Sequence, residues 1–312
     1  MRAATIRDGE IVVEEHPDPV AGAGEVLVRV RAAGLNGADM MQRRGLYPAP
    51  PGSPQDIPGL ELAGEVAAVG WGAERFATGE RVMAIVGGGA QAELCVVHER
   101  QLMPVPAGLD WAAAGGLPEA FTTAHDAIFT QAQLRSGEHL LVHGGAGGVG
   151  TAAIQLARAA GARVTATVRS AELRGQVEEL GARVLAVEGF AEHGPYDVVL
   201  ELVGAPNMPE NLQALATGGR ISVIGVSAGA KAELNLLALM GKRARIHGST
   251  LRARALEEKA LAARLIEHEV LPLFDGGELR VPIAEKLPLE RAAAAYERFA
   301  AGGKLGKIVL EL

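Results

Sequence analysis

The sequence predicts an α/β protein in which a doubly wound parallel sheet is joined to a second, mainly β part. Three observations carry this prediction. Residues 1–110 read as short apolar runs punctuated by Gly and Pro. From residue 119 to about residue 240 strand patterns alternate with helix patterns, which implies right-handed parallel crossovers. Within that stretch an apolar run, His139-Leu-Leu-Val-His143, passes through a glycine turn into the small-residue helix pattern that begins at Thr151.

Taken in order, strands are expected at residues 10–14, 25–32, 65–69, 81–85 and 92–97, separated by polar or Gly/Pro-rich turns such as Pro48-Ala-Pro-Pro-Gly-Ser-Pro54. The alternating stretch supplies strands at 139–143, 163–168, 183–187, 197–203, 220–225 and 245–248. The tail offers a helix from Leu256, a Pro-bounded strand near 281–287, a helix near 289–301 and a last strand at 306–310, which is expected to return to the first domain. There is no internal repeat of 20–50 residues and no low-complexity segment.

The glycine turn carries chemistry. Gly145, Gly147 and Gly150 stand at G-x-G-x-x-G spacing, and with Gly148 and Val149 they open a helix directly after a strand. That arrangement gives a tight turn, close backbone approach to a pyrophosphate and a helix N-terminus facing its charge. The next β-branched run ends at Val168 and is followed by Arg169 and Ser170, where an acidic side chain would select a free ribose 2′-hydroxyl. A guanidinium and a hydroxyl suit a 2′-phosphate, so the pattern favours NADP(H) over NAD(H). A solvated arginine at a strand end is the plainer reading, and Glu172 works against the phosphate.

With 312 residues the chain holds about two domains. Thirty basic side chains stand against 37 acidic ones, for a formal charge of −7, and the basic residues form no stripe. Nucleic acid is therefore not an expected partner. One cysteine, Cys95, excludes an internal disulfide, residues 1–8 lack the apolar core of a signal peptide, and no uncharged apolar run is long enough to span a bilayer. The expectation is a cytoplasmic protein without a membrane partner.

Gly34-Leu-Asn36-Gly-Ala-Asp39, Gln42-Arg-Arg-Gly-Leu-Tyr47, Pro58-Gly-Leu-Glu-Leu-Ala-Gly-Glu-Val66, Leu117-Pro-Glu-Ala-Phe-Thr-Thr-Ala124, the glycine turn and Gly302-Gly-Lys-Leu-Gly-Lys-Ile-Val-Leu310 together resemble a known family. It is the zinc-free quinone oxidoreductases related to zeta-crystallin, within the medium-chain dehydrogenase/reductases. The Met-Gln-Arg-Arg-Gly-Leu-Tyr and Leu-Pro-Glu-Ala-Phe stretches look most like its tumour-suppressor-inducible NADPH quinone reductase group. The resemblance implies a GroES-like catalytic domain from residues 1–118 and 262–312 around a Rossmann NADP(H)-binding domain at 119–261. It further implies a homodimer through the Rossmann domain and hydride transfer to a small quinone or enone. In this reading Tyr47, Asn36 and Gln42 face the nicotinamide as catalytic residues, with Tyr47 the first choice of donor to a quinone oxygen. Thr123, Val203, Gly225, Thr250 and Leu251 line the nicotinamide pocket, and Lys304 reaches cofactor or substrate. The alternatives are that Tyr47 only packs, Asn36 only caps a turn and Lys304 is a surface lysine.

Zinc alcohol dehydrogenases belong to the same superfamily, so metal needs its own test. Asn36 stands where those enzymes carry their first cysteine, and Leu60, before Glu61, stands where they carry histidine. With one cysteine a four-cysteine structural site is impossible. His139 and His143 are four apart on an expected strand, too far for convergence on an ion. No metal is therefore expected. Leu173 where relatives often carry lysine, Glu188 where many carry tyrosine, and Gly147 where the inducible group carries serine depart from the family pattern. Two rival readings stay open. One is an NADPH-binding sensor or structural protein with little turnover. The other is a serine hydrolase using Ser227, since Gly225-Val-Ser227-Ala-Gly229 follows a strand and precedes an expected helix. Chain order argues against the hydrolase, because the last histidine, His268, precedes the only downstream aspartate, Asp275.

Overall fold

The computed structural model describes residues 1–312, which divide into two compact units. Unit 1 comprises Met1–Thr122, Leu251–Gly302 and Lys307–Leu312; unit 2 comprises Thr123–Thr250 and Gly303–Gly306.

Unit 1 opens with an antiparallel pair, β1 (Arg2–Arg7) and β2 (Glu10–Glu15). Next come β3 (Glu25–Gly34), α1 (Gly37–Arg43), β4 (Glu61–Val69), β5 (Arg81–Ile85), β6 (Leu94–His98) and β7 (Leu102–Pro104). Two helices follow, α2 (Trp111–Gly116), capped by Asp110 accepting from the Ala113 N–H at 2.8 Å, and α3 (Pro118–His125), which runs on past the unit boundary. Alternation in β3 turns Val26, Val28 and Val30 inward onto Leu62, Val66, Val82 and Leu102, which form the main core of the unit.

Unit 2 is built from β8 (His139–His143), α4 (Gly148–Ala159), β9 (Arg163–Thr167), α5 (Arg174–Glu178), β10 (Arg183–Leu185), β11 (Tyr196–Glu201), α6 (Met208–Ala214), β12 (Leu215–Val223), α7 (Leu236–Lys242) and β13 (Arg245–Gly248). All neighbouring strands are parallel, in the order β10-β9-β8-β11-β12-β13. Numbered from β8, that order is 3-2-1-4-5-6, the arrangement in which a dinucleotide lies across the carboxyl ends of the two central strands. Leu140, Leu141 and Val142 in β8 and Val198, Val199 and Leu200 in β11 are all fully buried, as expected for strands covered on both faces. A bidentate pair, Arg220 Nη1 and Nη2 on Glu138 at 2.8 Å, ties β12 to the turn before β8.

The chain then returns to unit 1 through α8 (Leu256–Leu265), α9 (Leu271–Asp275), β14 (Ile283–Pro288), α10 (Ala292–Ala301) and β15 (Lys307–Glu311). β15 pairs with β14 on one side and antiparallel with β3 on the other, completing a seven-stranded sheet.

Two expectations change. β1 and β7 are unexpected strands; in β1 three consecutive buried residues, Ala3 to Thr5, hide the period-two signal. The boundaries of the compact units fall at 122/123 and 250/251. Arg100 pairs with Glu257 and Arg264 donates to the carbonyls of Arg100 and Leu102, which fastens α8 to unit 1. Residues 303–306 join unit 2, and their Gly306 N–H donates to the Ala146 carbonyl at 2.8 Å. Finally, no helix follows Ser227 directly: the exposed serine lies in an irregular stretch between β12 and α7, without the strand-to-helix elbow a hydrolase needs.

Candidate functional site

In unit 2 the expected cofactor residues gather at one edge of one sheet. Gly145, Gly147, Gly148, Val149 and Gly150 follow β8, Arg169 and Ser170 follow β9, Val203 follows β11, Gly225 follows β12 and Thr250 follows β13. The Gly145 N–H donates to Thr167, the Gly225 N–H to the Glu201 carbonyl and the Ser249 N–H to the Val223 carbonyl, so the loops are knitted together.

α4 begins with no side-chain cap, Gly147 standing extended at its N-cap, and the N–H groups of its first turn lack a capping side chain. That is the condition for receiving a phosphate. A Cβ at Gly150 would lie 2.3 Å from the Gly144 carbonyl oxygen, so only glycine lets the helix approach the turn. At Gly147 the nearest atom would be 3.5 Å away, which leaves room for a small side chain. Lys304 curls its ammonium onto the Gly306 carbonyl at 2.7 Å beside this loop.

Arg169 is exposed and makes no ion pair or hydrogen bond, whereas nearby Arg174 donates from Nε to the Val168 carbonyl at 3.2 Å. Thr123 is buried. The turn carrying Val203 has an anchor that the sequence reading missed. Glu201, fully buried at the end of β11, accepts the Val203 and Gly204 N–H groups on Oε1 at 2.7 and 2.8 Å. Its Oε2 accepts Asn211 Nδ2 at 2.7 Å, and Asn211 Oδ1 faces His143 Nε2 at 2.7 Å. With Asn211 donating to the carboxylate, its oxygen must accept from His143 Nε2–H, which leaves Nδ1 to accept from Thr167 Oγ1 at 2.9 Å. Burial holds the His143 imidazole below its ordinary pKa despite the pull of Glu201, so the neutral tautomer is the resident one.

In unit 1, α1 and the loop after it present the expected catalytic residues. Buried Gln42 accepts from Arg252 Nη2 at 2.5 Å and donates to the Gln55 carbonyl at 3.1 Å. Arg252, itself buried, also donates to the Tyr47 carbonyl and the Gly87 carbonyl, both at 2.8 Å, and lies 5.0 Å over the Tyr47 ring. Tyr47 is therefore held by its backbone and ring face, while its half-buried hydroxyl makes no hydrogen bond within the protein. Burial pushes that phenol up, against the opposing influence of Arg252.

Asn36 belongs to a different cluster. Its Nδ2 donates to Glu61 Oε1 at 3.0 Å, and its Oδ1 accepts from Lys307 Nζ at 2.5 Å. The Lys307 ammonium also meets Glu61 Oε1 at 2.6 Å and the Leu35 carbonyl at 2.9 Å, which satisfies all three of its protons. Glu61 Oε2 accepts the Glu119 N–H at 2.8 Å. Gly34 makes the cluster possible, since a Cβ there would fall 2.2 Å from Glu61 Oε1. Beside it, Asp39 accepts the N–H groups of Asn36 and Gly59, and burial pushes its carboxyl up to about 7. No group of three or more His, Cys, Asp or Glu side chains is arranged to hold a metal ion.

Lys307, Arg252, Glu201 and Asn211 were not singled out from sequence. Glu201 left a faint signal, an acid closing an otherwise apolar strand; Arg252 and Lys307 left none, because their partners are distant in the chain.

Comparison with known proteins agrees with this architecture. Residues 22–107 match the alcohol dehydrogenase GroES-like domain model, and residues 148–267 match the model described as zinc-binding dehydrogenase. Quinone oxidoreductase of Mus musculus is 33% identical, covering 94% of this chain and 91% of that protein; the one from Pseudomonas aeruginosa is 34% identical over 93% and 91%. A segment forming 8% of erythronolide synthase EryA2 from Saccharopolyspora erythraea is 37% identical over 92% of this chain. An alcohol dehydrogenase superfamily protein from Novosphingobium aromaticivorans superposes with a TM-score of 0.89 at 29% identity, covering 100% of this chain and 99% of its own. A mycobacterial structure complexed with NADPH gives 0.89 at 26%, covering 100% of both chains. The chain belongs to the medium-chain dehydrogenase/reductase superfamily, in its zinc-free quinone oxidoreductase-like branch.

Proposed function

We propose that this protein is an NADPH-dependent reductase that transfers a hydride to quinones or related activated carbonyl and enone acceptors without zinc. The observation that carries the reading is the uncapped glycine-loop helix at the switch point of a 3-2-1-4-5-6 sheet, with unpaired Arg169 after the neighbouring strand. The NADPH in the mycobacterial neighbour supports the same cofactor. Absence of zinc is supported by the donor set: where zinc relatives gather a thiolate and an imidazole, this chain buries an ammonium already satisfied by three oxygens.

A bound nicotinamide would supply the hydride, and the protein supplies position and donors for developing oxyanion charge. Gly145, Gly147, Gly148, Val149 and Gly150 hold the pyrophosphate, Arg169 and Ser170 the 2′-phosphate, and Thr123, Val203, Gly225, Thr250, Leu251 and Lys304 the nicotinamide end. Tyr47, protonated at neutral pH and with its hydroxyl unspent, donates to the acceptor oxygen. Asn36 and Gln42, whose side-chain groups are engaged inside the protein, act by shaping the site. An acceptor that is already electrophilic suits a site without a Lewis acid. A homodimer through the Rossmann domain is supported by the unpaired edge of β13 and by α7, which exposes Leu236, Leu237 and Met240 by 66–78%. No helix is long and apolar enough to cross a membrane, and a lone unpaired cysteine, Cys95, suits a reducing, cytoplasmic compartment.

The test is oxidation of NADPH, with NADH in parallel, against a panel of ortho- and para-quinones and enones. Turnover that favours NADPH supports the reading; tight NADPH binding with no turnover on any acceptor replaces it with the sensor reading.

A further inference from the structure

Within unit 2, the loops at the carboxyl edge of the sheet are organised around one buried carboxylate. Glu201 closes β11 directly after three fully buried apolar residues, Val198, Val199 and Leu200. A carboxylate is costly in such a place unless hydrogen bonds satisfy it, and four N–H donors do so. Two are backbone groups of the next turn, Val203 and Gly204; two are side-chain amides, Asn207 at 3.2 Å and Asn211 at 2.7 Å. The neutral His143 imidazole stands 3.9 Å off. The Glu201 backbone carbonyl accepts from Ile224 and Gly225 at 2.9 and 3.1 Å, so the same residue also holds the start of the loop after β12. The two loops are stitched together, because the Ala228 N–H donates to the Val203 carbonyl and the Ala205 N–H to the Gly229 carbonyl, both at 2.9 Å. Gly204, at φ +113°, fits closely against this loop: a Cβ there would fall 2.5 Å from the Gly229 carbonyl oxygen.

We propose that Glu201 is a positioning residue for the nicotinamide half of the cofactor, acting through the Val203–Gly204 turn and leaving the adenosine half unaffected. This role rests on the NADPH reading above and deepens it. In a 3-2-1-4-5-6 sheet the dinucleotide crosses between strands 1 and 4, here β8 and β11, and each half of the sheet takes one mononucleotide. The glycine turn, Arg169 and Ser170 follow β8 and β9, whereas Val203 and Gly225, assigned to the nicotinamide end, follow β11 and β12. Glu201 bonds directly to the second pair, through its carboxylate to the Val203 N–H and through its carbonyl to the Gly225 N–H. A loop already held in its binding conformation needs no ordering when the ligand arrives, so affinity for that half of the cofactor follows how firmly the turn is held.

The test is a calorimetric titration of the whole protein with NADPH and with 2′,5′-ADP, which carries the adenosine half and its 2′-phosphate but no nicotinamide. Glu201→Met removes the acceptor and should weaken NADPH about tenfold, the order expected for one or two net hydrogen bonds, with 2′,5′-ADP unchanged. Glu201→Gln, whose amide oxygen can still accept both backbone N–H groups, should retain most of the affinity. Gly204→Ala displaces the turn without removing any buried polar group and should reproduce the selective loss, which decides the matter if Glu201→Met does not fold. The fluorescence anisotropy of bound NADPH should fall in Glu201→Met and Gly204→Ala, because the nicotinamide gains freedom while the adenosine half stays held. NADPH affinity equal to the parent's in these two variants, or an equal loss for the two ligands, makes Glu201 a residue of the fold alone and overturns the proposal. A parent that binds neither ligand removes the cofactor reading and this role with it. If the parent binds NADPH but reduces no acceptor, the reductase reading fails while the titration still decides the role of Glu201.

Discussion

At Tyr47 an aromatic side chain is fixed from behind by Arg252 while its hydroxyl makes no hydrogen bond within the protein. Tyr47→Phe should lower kcat and leave the KM for NADPH nearly unchanged, because the bond to oxygen strengthens only as charge builds there. A lost oxyanion donor can cost on the order of 100-fold; an electrophilic quinone discounts that to roughly 3- to 30-fold, with more for an enone. Steady-state kinetics on both acceptors checks this, and a variant equal to the parent on both makes the tyrosine a packing residue. At Arg169 the side chain awaits a partner. Arg169→Asp should erase or invert the preference for NADPH, with a loss of about 1.5–3 kcal/mol, one to two decades in affinity, readable by cofactor titration. Equal binding of NADPH and NADH by the unaltered protein would remove the assignment. The glycine turn after β8 and the place of Arg169 after β9 were legible in the sequence because they are local, set by spacing along one strand, turn and helix. Arg252 was not, since its partners Gln42, Tyr47 and Gly87 lie more than 160 positions away in the chain.

Between elements, buried polar groups fix the geometry. Lys307 on β15 joins Asn36, before α1, and Glu61, at the start of β4. Lys307→Met should leave the fully buried Glu61 without its cation and destabilise the protein by about 3–5 kcal/mol, measurable by denaturant unfolding. A loss near zero would mean that Asn36 and the Glu119 N–H satisfy the carboxylate unaided. The His143–Asn211–Glu201 chain connects β8, α6 and β11 and ends on the turn that carries Val203. His143 has a folded pKa below its ordinary 6.5, so its neutral form contributes stability fully above that pH. As pH falls through 6.5 the unfolded chain gains a proton that the folded chain refuses, and stability declines. Denaturant unfolding between neutral and mildly acidic pH should show this slope, flattened in His143→Gln; an unchanged slope in the variant would assign the titration elsewhere. The strand-helix alternation was readable from periodicity, as the six parallel strands attest. β1 was not, because its buried run lacks alternation, and the return of α8 to unit 1 depends on side-chain pairs that span the chain.

On the scale of the whole molecule, two architectures are threaded by one chain. One unit holds a parallel sheet with a glycine turn at its carboxyl edge; the other, mainly antiparallel and built from both ends of the chain, holds Tyr47 and the buried ammonium. The central claim is that such a chain moves a hydride to a quinone with no metal. The most direct measurement is NADPH consumption with ortho-naphthoquinone by protein stripped exhaustively with a chelator and shown by elemental analysis to hold no stoichiometric zinc. The account predicts the same turnover before and after stripping. Activity that is lost on stripping and restored by added zinc, or no consumption of NADPH in either state, would contradict it.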